Sequence, residues 1–234
     1  MSYHEHAPPP ALVPWIECLW EQRAHDGTPV RVLPDGCVDV VRVVGAGTQI
    51  VGANTTAFVV ELSEGAGVVG ARLRPGAAPA LLGVAGEAVR DVRVPIADVW
   101  GSEGARLAAA LDEHVLPGDG LCAALIARAA RAERPDPLVR EAVRRLAGPG
   151  VAVAQLAGEL GLSDRQLRRR MSAAVGYCPK RLARVLRLGR ALKAARDGDD
   201  LGQAALEAGY ADQAHFATDC RALAGVPPTV VLAA

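Results

Sequence analysis

The stretch SDRQLRRRM, residues 163–171, carries Arg165, Arg168, Arg169 and Arg170 within six positions. A guanidinium is planar and permanently charged, and its paired N–H donors match phosphate oxygens and the O6 and N7 atoms of guanine. Chemistry of that kind recognises an anion or a base edge; it makes and breaks no bonds. Position decides whether the four can act together. At 100° per residue, with Arg165 at the origin, Arg169 falls at about 40° and Arg168 at about 300°, while Leu167, Met171 and Ala174 cluster between about 180° and 240°. Three arginines therefore share a face opposite an apolar stripe. Arg170, at about 140°, stands on the shoulder beside that stripe and is expected to be packed or ion-paired.

Two short helices must position this face. VAQLAGELGLSDRQLRRRMSAAVG divides at Gly161, with Leu156, Ala157 and Leu160 on one side of a first helix. Ser163 then caps a second helix, and Gln166 three residues later completes a capping box. Two helices joined by a three-residue turn, with small Ala157 at the crossing, form a helix-turn-helix pattern. The layout recurs in DLGQAALEAGYADQAHFATDCRALAGVPP, where Leu201, Ala205 and Gly209 match Val153, Ala157 and Gly161 at a displacement of 48. The second turn is one residue longer, so Phe216 and Cys220 correspond to Leu167 and Met171. Between the copies, PKRLARVLRLGRALKAARDGDD reads as one long helix that starts at Pro179 and stops at Asp197-Gly198.

This arrangement resembles the DNA-binding domain of AraC/XylS-family transcription regulators over about residues 136–230. The resemblance is carried by LAGELGLSDRQLRRRM, by RLGRAL and by AALEAGYADQAHFATDCRALAGVPP. It implies two recognition helices in successive major-groove segments of promoter or operator DNA, held apart by the linking helix. On the matching positions, the DNA-binding set is Ser163, Arg165, Gln166, Arg168 and Arg169 in the first unit and Gln213, Ala214, His215, Thr218 and Arg221 in the second. Arg165, Arg168 and Arg169 are the base-edge candidates of the first helix, and Gln213, Ala214 and Thr218 those of the second. Gln213 alone in that second set has an amide able to pair with adenine. His215 and Arg221 are expected nearer the backbone, and Lys180, Arg181 and Arg184 of the linking helix are backbone contacts. Departures from the family pattern are Arg170 at an apolar position, Cys220 for a usual Phe, and Thr218 and Asp219, which leave the second helix poor in positive charge. The first unit is therefore expected to dominate affinity.

Upstream of this region the reading is strands. VRVLPDGCVDVVRVV places Val-rich runs on both sides of Pro34-Asp35-Gly36, which predicts a tight reversal between strands. TQIVGA, AFVVEL and GVVGARL are further strand candidates, and Trp15, Leu19 and Trp20 are among the few large apolar anchors of a chain with 3% aromatics. From Gly76 the pattern turns helical: GAAPALLG, ARLAAALDEHV, LCAALIARAARAE and DPLVREAVRRLAG, the last capped by Asp136 with Pro137 at its first position and stopped at Gly148. The fold class expected is α+β: a strand-rich, β-barrel-like sensor or regulatory domain over 1–118, a helical linking region over 119–148 and an all-α double helix-turn-helix domain over 149–234. WIECLW, LPDGCVDVV and VGARLRPGAA resemble an amino-terminal sensor-type domain found in a subset of the same regulators.

Charge agrees with that division. The chain's formal net charge is zero, yet residues 1–135 hold 11 Lys+Arg against 16 Asp+Glu, and residues 136–234 hold 15 against 10. Eleven of those 15 cations lie between Arg165 and Arg196. An acidic half joined to a basic half points to a nucleic-acid partner for the latter.

Other chemistry finds little support. The sequence holds no G-x-S-x-G, H-E-x-x-H or P-loop pattern, so no catalytic residue and no cofactor are expected. GAGTQIVGA reads as a strand-connecting turn. His4 and His6 have no third ligand nearby and sit in a terminus expected to fray, so no metal site is expected. Asp35 and Asp39 read as turn residues. Five scattered cysteines without a C-x-x-C pair argue against a disulfide framework, and Cys37 is the thiol most exposed to chemistry if any is. With no signal-peptide pattern and no apolar run of about 20 residues, a cytoplasmic protein is expected. The partners expected are double-stranded DNA, a small-molecule effector, RNA polymerase and a second copy in a homodimer. The competing reading is a small-molecule-binding protein or enzyme whose helical C-terminal region is mainly structural; DNA binding separates the two.

Overall fold

The computed structural model describes residues 2–23, 27, 29–44, 46–112 and 117–233; residues 113–115 of the predicted helix ARLAAALDEHV lie outside them. Eight strands come first: β1 Ser2–His6, β2 Ile16–Arg23, β3 Val30–Val32, β4 Val38–Val43, β5 Gly47–Val51, β6 Phe58–Val60, β7 Gly67–Leu73 and β8 Arg93–Pro95. Helices α1 Ala78–Leu82, α2 Ile96–Asp112, α3 Pro117–Ala129 and α4 Pro137–Leu146 follow or interleave. The C-terminal region holds α5 Val153–Glu159, α6 Asp164–Val175, α7 Pro179–Asp197, α8 Leu201–Ala208, α9 Gln213–Ala224 and α10 Pro228–Ala233. No helix of the described residues is long and apolar enough to cross a membrane.

Six strands form one antiparallel sheet in the order β1-β2-β7-β4-β5-β8, and β3 with β6 forms a second, two-stranded sheet. Alternation sends Val38, Val40, Ile50, Ala71 and Leu73 to the inner face of the large sheet, where they are buried with Leu81, Leu82 and Leu125 of the helices. On the opposite face Val41 and Val68 meet Leu62, with Val60 of the small sheet packed against them. Trp20 reaches this second core because its strand neighbour is Gly70. A Cβ on Gly70 would lie 2.3 Å from the indole ring, so the aromatic lies across the bare backbone.

Two expectations change here. Residues 2–6 are not a frayed end: β1 pairs with β2 from Ser2↔Arg23 to His6↔Leu19. Local composition gave no sign of this, because a polar edge strand is specified by its partner. The Pro34-Asp35-Gly36 turn does not close a hairpin, for β3 pairs with β6 whereas β4 pairs with β5 and β7. It carries the chain from one sheet to the other. Gly36 has φ +82°, and a Cβ there would meet Leu182 of α7 at 2.6 Å. The turn is therefore also the seat of the linking helix.

The large apolar cluster does not stop at the end of the strands. It runs from Leu12 and Ile16 through α4, α6 and α7 to Phe216 and Val231 without a break. Between the strand-rich region and the helix-turn-helix region the backbones come close: a Cβ on Gly86 would stand 2.6 Å from the Ala174 carbonyl oxygen of α6. The linking region is tied in as well, with the Trp15 indole N–H donating to the Glu133 carbonyl at 2.9 Å. Backbone cannot yield as a side chain can, so Gly86→Ala is expected to cost about 1–3 kcal/mol by overpacking. Equilibrium denaturation of the full chain checks it, and an unchanged midpoint would show that the two regions are not tightly joined.

Candidate nucleic-acid interface and inter-sheet cavity

Both helix-turn-helix units are built by local rules. In the first, Leu156 and Ala157 are buried on α5, Gly161 takes the left-handed conformation at φ +67°, and Ser163 caps α6. The Ser163 amide donates to the Gln166 side-chain oxygen at 2.8 Å and the Gln166 amide donates to Ser163 Oγ at 3.3 Å, which completes the capping box. In the second, Asp200 caps α8, Ala204, Ala205 and Ala208 are buried, and Gly209 has φ +89°. Asp212 then accepts from the His215 amide at 2.7 Å, while His215 Nδ1 accepts from the Ala211 amide at 3.4 Å. His215 thus occupies, at a displacement of 49, the place of Gln166.

The recognition faces follow from these caps. Leu167, Met171, Ala174 and Val175 turn inward on α6, and Arg165, Arg168 and Arg169 are exposed. No carboxylate pairs with any of the three among the described residues. On α9, Phe216 and Cys220 are fully buried, and Gln213, Ala214, His215, Thr218 and Arg221 are exposed. Ser163 and Gln166 are exposed as well, but their polar groups are engaged with each other. Arg170 stands apart, as its wheel position indicates: Nη1 lies 2.5 Å from Asp136 Oδ2, and Asp136 uses Oδ1 to cap α4. One carboxylate joins the start of α4 to the side of α6.

The cations of α7 are placed differently from the arginines of α6. Asp219, at the α9 position 49 residues after Arg170, is buried at 4% exposure. It accepts from Arg184 Nε, from Arg187 Nη2 at 3.4 Å and from the Tyr210 hydroxyl at 2.9 Å. Arg187 lies over the Tyr210 ring, 4.3 Å from its centre, and burial with Asp219 alongside pushes the Tyr210 hydroxyl well above its ordinary range. Arg190 donates to the carbonyls of Ala147 at 2.8 Å and Ala208 at 3.1 Å. Arg181 donates to the Thr55 carbonyl at 2.6 Å. Of the three linking-helix positions assigned to the DNA backbone, only Lys180 is exposed; Arg181 and Arg184 are engaged inside the protein. Asp219 takes no part in the exposed face of α9. Its role was not visible from composition, although an Asp at the position matching Arg170 was a signal that the two units are braced by opposite charges.

Between the two sheets lies a cavity of about 250 Å³, walled by Val30, Val32, Val41, Val43, Val60 and Phe58 among others. Its polar end holds Asp39 and Arg72. Trp20 Nε1 donates to Asp39 at 3.0 Å, and Arg72 Nε lies 3.4 Å from Asp35 and 3.5 Å from Asp39. Burial pushes the Asp39 carboxyl up to about 7, against the opposing pull of Arg72. Asp35 also accepts from the Cys37 amide at 2.8 Å, the turn role expected of it. Cys37 is buried, and burial with two carboxylates beside it drives its thiol upward. It is therefore a protonated, poorly nucleophilic thiol at neutral pH, not a reactive one.

Residues 139–234 match a family described as a helix-turn-helix domain, and residues 4–95 match one described as a domain of unknown function, DUF6597. The C-terminal part of the chain therefore carries a helix-turn-helix domain. No curated protein matches the chain. Similar solved structures include the C-terminal domain of AraT, a response regulator from Geobacillus stearothermophilus, at 21% identity and a TM-score of 0.39 over 42% of this chain and 85% of that one. ToxT from Vibrio cholerae O395 is similar at 12% identity and a TM-score of 0.48, covering 91% of this chain and 95% of its own. Unsaturated fatty acid bound ToxT from Vibrio cholerae strain SCE256 is similar at 13% identity and 0.46, covering 92% and 93%.

Asp219 is buried but Arg184 and Arg187 are partly exposed and can regain water, so Asp219→Ala is expected to lower stability by about 1–3 kcal/mol through the lost charge-assisted hydrogen bonds. Denaturant unfolding measures it, and a loss below about 1 kcal/mol would mean that water replaces those bonds in full. Asp39 gives a pH signature. Its carboxyl holds a proton more tightly folded than unfolded, so it contributes stability that is present below about pH 4 and lost as pH rises toward 7. Between pH 5 and pH 8 the parent chain should lose more stability than the Asp39→Asn variant; parallel pH profiles would contradict this.

Proposed function

We propose that the protein is a sequence-specific DNA-binding transcription regulator, with a small-molecule effector held between the two sheets of its N-terminal region. The observation that carries the DNA reading is the exposed trio Arg165, Arg168 and Arg169, on a capped second helix whose whole unit recurs 48–49 residues on. Such a trio can pair with guanine edges or grip phosphates in a major groove, and Gln213 can pair with adenine from the second helix. With little positive charge on α9, the first unit supplies most of the affinity and the second supplies selectivity. Lys180 serves as a phosphate contact. The division into a sensor region over 1–118, a linking region over 119–148 and a DNA-binding region over 149–234 belongs to this reading, as do a homodimer, contact with RNA polymerase and a cytoplasmic location.

The cavity supports the effector part. Its walls are mostly aliphatic and aromatic, with a few polar groups among them, the Asp39–Arg72 pair at one end, the pattern of a small-molecule site. A compact, mostly apolar ligand with one polar group facing Asp39 and Arg72 fits it.

Selection of bound fragments from genomic DNA with the full-length protein tests the reading. Log affinity for a selected fragment should fall linearly with log salt as phosphate counterions are released. Arg168→Ala or Arg169→Ala should cost about 1–3 kcal/mol on that fragment and less on random duplex if the side chain meets a base edge. Equal losses on both would assign it to phosphate. A full-length chain that shifts no duplex at low salt would remove the DNA reading and leave the helical region a structural one.

A further inference from the structure

The two-stranded sheet has different partners on its two sides. Val30 and Val32 of β3, with Phe58 and Val60 of β6, wall the cavity. Arg31 lies between the two valines, and alternation along a strand sends it the other way. Its Nη1 donates to the Ala224 carbonyl at 3.0 Å, in the last turn of α9. Immediately before β6, the Ala57 amide donates to the neighbouring carbonyl, Leu223, at 2.7 Å. Carbonyls at a helix end lack partners within the helix, and a cation there is favoured by the helix dipole. The same small sheet therefore closes the cavity and caps the second recognition helix.

The first recognition helix is held by another element. Arg90 donates to the Gly176 carbonyl at the end of α6, at 3.2 Å. It belongs to the segment before β8, and β8 pairs with β5 of the large sheet. Each recognition helix thus ends on an arginine of the strand-rich region; both sheets wall the cavity, but that of α9 belongs to the small sheet itself, whereas Arg90 precedes a strand of the large one. The wall is also the weaker support. It consists of three residue pairs, Val30↔Val60, Arg31↔Val59 and Val32↔Phe58, and a two-stranded sheet that short has little stability of its own. Its position is set by what lies on its two sides.

We propose that the two-stranded sheet is the coupling element between the cavity and the DNA-reading region, with Arg31 as its positioning residue. A change in what fills the cavity moves β3 and β6, and Arg31 and Ala57 pass that movement to the C-terminal end of α9 while α6 stays with the large sheet. Cavity occupancy then sets the second recognition helix relative to the first. The use of this coupling rests on the regulator reading above, but its test needs neither DNA nor an identified effector.

Hydrogen–deuterium exchange on the full-length chain provides that test, with the cavity altered by substitution. Arg31→Ala should speed exchange across residues 213–226 by about tenfold, the loss of one charge-assisted hydrogen bond, and leave residues 164–176 unchanged. Arg31→Lys, which keeps one cationic donor, should restore part of the protection. Val68→Phe fills the cavity from the floor of the large sheet; it should speed exchange at Ala57 and in 221–226 together, and the effect on 221–226 should be clearly smaller when Arg31 is already Ala, with the Ala57 bond as the remaining link. If Val68→Phe does not fold, Val60→Ala alters the wall from the other side and should give the same pattern. The proposal is overturned if Arg31→Ala leaves 213–226 at the parent rate. It is also overturned if the cavity variants change α6 or α7 as much as α9, or act on α9 equally without Arg31. A chain that passes this test and binds no DNA would lose the regulator reading while keeping the coupling.

Discussion

The arrangement of the DNA-reading region depends on one buried carboxylate. Asp219 sits on the inner side of α9 and draws Arg184 and Arg187 of α7 to it, with the Tyr210 hydroxyl as a third donor. Burying a charge is costly, and the cost is offset only when partners satisfy it in one geometry. That requirement fixes α9 against α7. Arg190, donating to carbonyls at the ends of α4 and α8, fixes the same helix against α4 and the second unit. Leu182 on Gly36 and Arg181 on Thr55 then fix it against the strand-rich region. The linking helix is a strut braced at several points along its length.

Eleven cations between Arg165 and Arg196 look like one basic surface when counted along the chain. The structure separates them by what they touch. Arg165, Arg168 and Arg169 are free to meet a polyanion, whereas Arg170, Arg181, Arg184, Arg187 and Arg190 have partners inside the molecule. The helical wheel and the capping signals distinguished Arg170 from its neighbours because both are local properties. They could not do so for α7, where the deciding partner, Asp219, lies 35 residues from Arg184. The same limit explains the strands. Val-rich runs and the ends of α4, α6 and α7 were legible, since caps and alternation are written within a few residues. The pairing of β3 with β6, the ordering of residues 2–6 as an edge strand and the cavity between the sheets arise from contacts distant in sequence, and no local pattern specifies them.

A continuous apolar cluster joins the two regions. Large, apolar contacts between domains resist independent motion, so a signal can cross only where the joint is made of few and polar contacts. The bonds from the small sheet to the end of α9 are of that kind, and those at the end of α6 come from the stiffer large sheet. The two recognition helices are therefore unequal in charge and unequal in how they are held. Such a pair suits a first helix that supplies affinity and a second whose engagement is conditional.

In the proposed complex both helix-turn-helix units read one face of a DNA duplex across adjacent turns. Hydroxyl-radical footprinting of the full-length protein on a selected genomic fragment tests it most directly. Two protected patches are expected on one face, about one helical turn or 10 base pairs apart, with the stronger protection under α6. A single patch, or protection that shows no preference for position along the fragment, would contradict it.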